Sequence, residues 1–350
     1  MATAAAVSLL FGAGGALLVG ALTAPGGDAV ETAPGAVAPG DWAAVAEATA
    51  NSVVAIQVPS GENDRGSQGS GVVWDDQGRI VTNHHVVADA PGGRVSVLIG
   101  THVYPATVVG SDPATDLAVL QLAAPAPGLV PLPRADAEAL RVGDEVAAIG
   151  NPLGLSGSVT TGIVSALDRP ISTGGTAAQP VITNAIQTSA ALNPGNSGGA
   201  LVDRSGLLIG INSAIATVGG GPGGGQSGNI GIGFAIPVDL AERIAAQLIA
   251  DGAVEHAYLG VVTTDATAEA RGAERLGAEV VSVVEGGPSA DAGLAEGDLI
   301  IAVDGDAITG SRHLVGTVRG LVVGETAQVT VVRDGEELVL DVVLGVSPDL

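Results

Sequence analysis

The stretch Asn193-Pro194-Gly195-Asn196-Ser197-Gly198-Gly199 sets one hydroxyl among three glycines. Glycine admits backbone conformations closed to residues with a Cβ, so such a turn can expose Ser197 and converge N–H groups beside it. Converged N–H groups are what an acyl-transfer transition state needs, because they hydrogen-bond the oxyanion that forms. The same pattern also occurs as an ordinary Gly-rich turn, so the serine carries meaning only with partners. A neutral hydroxyl is a weak nucleophile without an adjacent base. Two imidazoles stand together in Thr82-Asn83-His84-His85-Val86-Val87. A carboxylate that can orient one of them is Asp116, in Asp112-Pro113-Ala114-Thr115-Asp116-Leu117. Base, orienting acid and nucleophile thus follow the order His, Asp, Ser.

Adjacent side chains on a strand or turn point to different sides, so only one of His84 and His85 can face Asp116. The pair lacks the i, i+4 spacing and third ligand of a metal centre, and no metal or cofactor is expected. His102, His256 and His313 lie in no motif and are expected at the surface. The absence of Cys excludes a disulfide framework, a thiolate zinc site and a cysteine nucleophile. All 13 basic residues are Arg, against 37 acids, for a net charge of −24. Without a basic patch to replace phosphate counterions, sequence-independent nucleic-acid binding is excluded.

The elements that must position these groups read as mainly β. The aromatics are few (Phe11, Trp42, Trp74, Tyr104, Phe234, Tyr258), so the core must come from Val, Ile, Leu and Ala. From Asn51 to Ile236 short β-branched runs such as SVVAIQV, RIVTN, LAVLQL and EVAAIG alternate with Gly, Pro, Asp and Asn. That spacing predicts a β-barrel or sandwich. Thr217–Asn229 is too Gly-rich for helix or strand and reads as a mobile loop. Pro237–Asp251 reads as a helix, with Asp239 and Glu242 in capping-box spacing, a Leu240/Ile244/Leu248 stripe and Gly252 as the stop. Residues 257–346 hold a second set of strands with turns at Asp304-Gly305 and Asp334-Gly335. Ahead of all this, Ala2–Thr23 carries no charge, and its 22 residues extend about 33 Å as a helix, enough to cross a bilayer core. A secretory signal would need a basic flank and a clear cleavage site, so an uncleaved anchor over 1–24 is the preferred expectation. Residues 25–40 read as a Pro/Gly/Ala linker, 41–252 as one unit and 253–350 as another, with a helix starting at Asp41.

The His, Asp, Ser order is that of chymotrypsin-type enzymes, in which two barrels meet at a cleft. Residues 66–240 closely resemble the HtrA family of serine proteases through GSQGSGVVW, GRIVTNHHVV, DPATDLAVLQL, AIGNPLGLSGSVTTGIVSAL, IQTSAALNPGNSGGALVD and IGFAIPVDL. The resemblance implies a chymotrypsin-like double β-barrel with His85, Asp116 and Ser197 as the triad. It also implies an oxyanion hole from the N–H groups of Gly195 and Ser197, with Asn196 between them. Two positions depart from the family pattern: Ser189 stands where Asp is common, and Ala200 where Pro is common. Residues 257–346 resemble an α+β PDZ domain through Tyr258-Leu259-Gly260-Val261 and GGPSADAGLAEGDLIIAVDGDAI, which implies that Tyr258–Val261 binds a peptide's terminal carboxylate.

Ala191, six before the nucleophile, and Leu192 are expected at the base of the specificity pocket, with Ile211 and Ser213 in its second wall. With no carboxylate there to pair a cation, cleavage is expected after small to medium aliphatic residues such as Val, Ala or Ile. The combined expectation is a membrane-anchored, extracytoplasmic serine endopeptidase acting on unfolded or damaged proteins in quality control and stress response. C-terminal peptides are the expected PDZ partners, and the resemblance implies a homotrimer. The alternative is a catalytically silent, peptide-sensing scaffold or chaperone on a protease fold.

Overall fold

The computed structural model describes residues 41–59, 67–124, 126–152, 157–175, 180–215 and 231–348. The expected anchor 1–24, the linker 25–40 and the Gly-rich stretch Thr217–Asn229 lie outside them. Among the described residues no helix is long and apolar enough to cross a membrane.

The chain enters through α1 (Trp42–Thr49), started by Asp41, whose Oδ1 accepts from the N–H groups of Ala43 at 2.9 Å and Ala44 at 3.3 Å. That bond satisfies helix donors that have no partner within the helix. Strands β1 (Val53–Gln57), β2 (Gln68–Val73) and β3 (Arg79–Thr82), the one-turn helix α2 (His84–Val87), then β4 (Arg94–Ile99), β5 (His102–Asp112) and β6 (Leu117–Leu122) follow. They close a barrel in the order β1-β2-β3-β6-β5-β4. A second closed barrel, in the order β10-β11-β12-β9-β8-β7, is made by β7 (Glu145–Gly150), β8 (Ser158–Gly175), β9 (Pro180–Thr188), β10 (Ala200–Asp203), β11 (Leu208–Ile215) and β12 (Gly233–Pro237).

Successive strand residues point to opposite faces, and the two faces serve different cores. Val54, Ile56, Ile80, Val97 and Leu120 fill the first barrel. Val146, Ala148, Leu201, Ile209 and Ala235 fill the second. The alternate residues Val53, Val72, Val81, Leu117 and Val119 meet Ile149, Val202, Ile211 and Ile236 in a third cluster that joins the barrels. Helix α3 (Val238–Asp251) adds its Leu240, Ile244 and Leu248 stripe to that cluster and ends at Gly252, with φ 74°. The expected capping box does not form. The helix starts at Val238 with Pro237 in the cap position, so Asp239 lies inside the first turn and the third helical position falls on Leu240, whose side chain has no acceptor. Glu242 instead pairs with Arg134 at 3.2 Å, whose guanidinium stacks 3.9 Å over Trp74.

Beyond α3 come β13 (Ala257–Tyr258), β14 (Val261–Ala270), β15 (Ala273–Val283), α4 (Pro288–Asp291), β16 (Leu299–Val303), β17 (Asp306–Ala307), α5 (Ser311–Arg319), β18 (Thr326–Arg333), β19 (Glu336–Val343) and β20 (Gly345–Val346). The sheet runs β14-β15-β16-β18-β19, with β17 on β16 and β13 paired to β20. Val280, Ile300, Val329 and Val331 pack beneath Leu314 and Val318 of α5. Both expected Asp-Gly turns are present; Asp334 and Gly335 have φ of 52° and 81°, as a two-residue hairpin requires.

This sheet unit is seated on the second barrel and on the β5–β6 turn of the first. A Cβ on Gly316 of α5 would lie 2.3 Å from Asn184 Oδ1 of β9, so the helix touches the strand directly. Asn184 Nδ2 donates to Thr317 Oγ1 at 2.9 Å. Arg319 Nη1 donates to the carbonyls of Ala114 and Ile182, both at 3.3 Å. His256, expected at the surface, is 2% exposed, with Nε2 3.0 Å from Oδ1 of the buried Asp112. Its position just before β13 places it under the seated sheet unit rather than in solvent.

Burial by itself pushes the Asp112 carboxyl up, but the hydrogen bond and charge of His256, with donors from Thr115 and Ala114, bring it below its ordinary 3.8. A depressed folded-state value means that the ionised carboxylate stabilises the fold above the unfolded pKa. That contribution is lost as pH falls through the folded value. Removing one member of a buried pair strands the other, so His256→Ala is expected to cost about 3 kcal/mol in chemical denaturation at pH 7. The deficit should shrink as pH falls towards 3.8 and below, where Asp112 protonates. A deficit unchanged between pH 7 and 3 would show that the pair does not depend on an ionised Asp112.

Candidate active site

Helix α2 starts directly after β3, so His84 and His85 emerge at the end of the first barrel. Asp116 ends the β5–β6 turn with φ 58°, a left-handed conformation that Asp tolerates better than most residues. The two segments are tied through their backbones: His84 N–H donates to Asp116 O at 3.0 Å, and His85 N–H to Asp116 Oδ1 at 3.0 Å. Asn83 Nδ2 adds a bond to Asp116 O at 2.9 Å. His85 Nδ1 then lies 2.9 Å and 2.8 Å from the two carboxylate oxygens. His84 points elsewhere, with its Nδ1 buried and without a partner. The structure therefore brings the imidazole of His85, and not that of His84, to the Asp116 carboxylate.

Asp116 is 5% exposed, while the His85 side chain is half exposed. The carboxylate also accepts from Ser213 Oγ at 2.9 Å. A carboxylate on Nδ1 fixes the tautomer with its proton on that nitrogen, which leaves Nε2 as the acceptor nitrogen of the ring.

Ser197 sits on the turn before β10, between Gly195 at φ 97° and Gly198 at φ 82°. A Cβ on Gly195 would stand 2.3 Å from Pro152 Cβ, and one on Gly198 would stand 2.1 Å from Ser70 O, so both positions exclude a side chain. Three N–H groups of the turn are already paired. Asn196 N–H donates to Asn193 O at 3.0 Å, Gly198 N–H to Asn212 O at 2.7 Å and Gly199 N–H to Asn196 O at 3.0 Å. The N–H groups of Gly195 and Ser197 have no acceptor among the described residues. A trans peptide carries its C=O and N–H on opposite sides, so the Gly199 bond to Asn196 O turns the Ser197 N–H away from the barrel. The Ser197 hydroxyl itself donates to Ser213 O at 3.1 Å.

The four expected pocket residues are placed differently from one another. The Ala191 carbonyl accepts from Thr160 Oγ1 at 2.7 Å. Leu192 is buried against Gly233, where a Cβ would stand 2.8 Å from its Cγ. The Ile211 side chain is fully buried in the cluster between the barrels. Ser213 turns its hydroxyl onto Asp116, a contact that nothing in its residue type or spacing announces. Of the two departures noted in the sequence, Ser189 Oγ accepts from Ile163 N–H at 3.0 Å, and Ala200 is buried within β10.

In the sheet unit, Ala257–Val261 faces Leu314, Val315, Val318 and Arg319 of α5 across a groove of about 190 Å³. Leu259 O and Gly260 O accept from Ser289 and Val284 N–H, both at 2.9 Å. The same trans peptides carry the N–H groups of Gly260 and Val261 on their other side. Gly260, at φ 78°, makes the turn.

Residues 69–211 match the trypsin-like peptidase domain family, and residues 257–344 match the PDZ domain family. The chain is 44% identical over 346 residues to the serine protease PepD of Mycobacterium tuberculosis, with 94% of this chain and 73% of that protein covered. It is 42% identical over 287 residues to a probable periplasmic serine endoprotease, DegP-like, of Brucella suis. That match covers 81% of this chain but only 53% of the relative, so the chain spans about half of that protein. The solved HtrA-type protease AlgW with decapeptide is similar at a TM-score of 0.64 and 31% identity, covering 89% of this chain and 100% of that one. The serine endoprotease from Yersinia pestis gives a TM-score of 0.59 at 33% identity over the same 89% of this chain and 100% of its own. With two chymotrypsin-like barrels followed by a PDZ sheet, this chain belongs to the HtrA family of serine proteases.

Proposed function

We propose that this serine endopeptidase works through His85, Asp116 and Ser197, with the N–H groups of Gly195 and Ser197 as its oxyanion hole. The observation that carries the reading is the His85–Asp116 contact at 2.8 Å, linked through Ser213 to Ser197, whose own N–H and that of Gly195 have no acceptor among the described residues. Rotation about the Ser197 Cα–Cβ bond moves Oγ from the Ser213 carbonyl towards His85 Nε2. His85 takes the hydroxyl proton as Oγ attacks the substrate carbonyl, and the two N–H groups receive the negative oxygen. His85 returns the proton to the departing amine, and a water activated by the same imidazole hydrolyses the acyl-enzyme. Asp116 holds the imidazole in place and stabilises its cation.

A fluorophosphonate probe should label the wild type and not Ser197→Ala. Casein cleavage should fall about 10⁶-fold in Ser197→Ala and about 10⁴-fold in Asp116→Asn, which favours the wrong tautomer. Unchanged cleavage by a folded Ser197→Ala would sink the assignment. The Ser197 bond to Ser213 O is the observation that favours a second reading, a catalytically silent scaffold. An absence of wild-type labelling would support it.

Substrates on this reading are unfolded or damaged proteins outside the cytoplasm, as the periplasmic naming of the Brucella suis relative suggests. Ala191 and Leu192 offer no carboxylate to a basic side chain, which favours cleavage after Val, Ala or Ile. The uncharged stretch 2–23 anchors the chain to the membrane, and the active assembly is a trimer. The PDZ groove takes the free C-terminus of a peptide, with its carboxylate on the N–H groups of the Tyr258–Val261 loop and its strand along the β14 edge. Charge-assisted bonds of this kind are worth about 1.5–3 kcal/mol. A groove-binding peptide should therefore lose about 10- to 100-fold in affinity when its carboxylate is amidated. Leu314→Glu should abolish binding. Equal affinity for acid and amide in calorimetric titration would contradict the carboxylate loop.

A further inference from the structure

We propose that Ser70 is a positioning residue for the oxyanion hole. From the first barrel, it holds the nucleophile turn of the second in the conformation that the transition state requires. This rests on the reading of Gly195 and Ser197 as the oxyanion donors. Ser70 lies on β2, is fully buried and stands between Gly69 and Gly71. A Cβ on Gly69 would lie 3.1 Å from Ser197 O, so the strand runs hard against the turn.

Ser70 bonds to that turn twice. Its N–H donates to Ser197 O at 2.8 Å, and its hydroxyl donates to Gly195 O at 2.6 Å. The direction of the hydroxyl is set, because Ser70 Oγ also accepts from Asn151 N–H at 2.8 Å. One proton and one occupied lone pair leave the hydroxyl no reason to rotate. Ser70 O in turn accepts from Thr82 Oγ1 at 2.7 Å, which anchors the strand to its neighbour β3.

The consequence follows from peptide geometry. Gly195, at φ 97°, holds a conformation that glycine alone adopts readily, and its lack of a side chain leaves ψ to be set by what holds its carbonyl. Holding its carbonyl fixes the 195–196 peptide, and with it the ψ of Gly195. Holding the Ser197 carbonyl fixes the 197–198 peptide. The 196–197 peptide between them carries the Ser197 donor, and the Gly195 donor sits on the other side of the clamped joint. A turn released at Gly195 can rotate its N–H out of the hole without breaking another contact to the first barrel. Ser70 touches neither substrate nor Ser197 Oγ, so it acts only through this backbone.

The test uses the full chain and two ligands built on its best-cleaved casein site: a peptide boronic acid, which forms a tetrahedral adduct on Ser197, and the matching peptide amide, which binds without one. In Ser70→Ala the boronate Kd should rise about 10- to 100-fold, less than the 10²–10³ seen when a donor is deleted outright. The kcat should fall by a similar factor, while KM and the amide Kd stay within about twofold. The low-field resonance of the His85 Nδ1 proton should be unchanged, since the His85–Asp116 contact is untouched. Ser70→Cys puts a larger atom and a weaker donor at the same place and should also show a boronate loss. It serves also if Ser70→Ala does not fold. Val97→Ala, on β4 in the core of the first barrel, should lower Tm without changing the ratio of boronate to amide affinity. Wild-type boronate affinity in a folded Ser70 variant overturns the proposal, as does an equal change of ratio in Val97→Ala. Failure of the wild type to form any boronate adduct at Ser197 would instead overturn the underlying oxyanion-hole reading.

Discussion

Ser197 and His85 belong to different barrels, so no local feature of the chain sets the distance between them. The seam between the barrels sets it. On its apolar side, Val53, Val72, Val81 and Leu117 of the first barrel meet Ile149, Val202 and Ile211 of the second. Such burial is strong but has no direction, because it scales with the area removed from water. Helix α3 narrows the choice by laying Leu240, Ile244 and Leu248 into the same cluster. The remaining freedom is removed by directional contacts at the polar end of the seam, above all the 2.8 Å backbone bond from Ser70 to Ser197. The division of labour is physical: apolar packing brings the barrels together, and a few hydrogen bonds select one register.

The turn that carries Asp116 shows the same economy. Asp112 accepts from Ala114 N–H at 3.1 Å and from Thr115 Oγ1, which winds the turn on itself. Its carboxylate is nevertheless buried, and it is tolerable there because His256 meets it. Arg319 closes the far side by taking the Ala114 carbonyl. Burial lowers the pKa of that guanidinium, and the Asp112 charge counters the shift. The candidate catalytic aspartate is therefore presented by a turn whose other polar groups are satisfied partly from the PDZ unit.

Much of this was legible from residue type and order. The strands from Asn51 to Ile236, the Asp41 start of the first helix, the α3 stripe and the Asp-Gly turns all announce themselves through short-range chemistry. The candidates His85, Asp116 and Ser197 stood out through their order along the chain, and the family resemblance, not residue type, chose His85 over His84. What stayed hidden depends on distance along the chain. Ser70 is one small residue in a strand, and its hydroxyl partner is 125 positions away. His256 and Asp112 are 144 apart, and a histidine in no motif gives no sign of burial. Ser213 was placed in a pocket wall by its neighbourhood, but its hydroxyl answers to a carboxylate 97 positions away. The capping box failed for a local reason: the helix starts at Val238, ahead of Asp239, which shifts the spacing pattern out of register with the cap.

Helix α5 draws these threads together, because it has two working faces in only nine residues. Leu314, Val315 and Val318 wall the groove beside Ala257–Val261, while Gly316 and Thr317 lie on Asn184 of the second barrel. Arg319, at its end, both borders the groove and bonds to the turn that carries Asp116. A short helix moves as a rigid rod, since its own hydrogen bonds fix its backbone. The Gly316 contact is backbone against side chain with no space for a methyl group, so the helix has little room to slide on β9. Groove width and barrel contact are therefore not independent quantities. Any change that shifts α5 alters the seat of Arg319 and the packing on Asn184 at once, whichever face it starts from. Packed surfaces of this kind settle into discrete arrangements rather than deforming smoothly, because close packing leaves no continuous path between them.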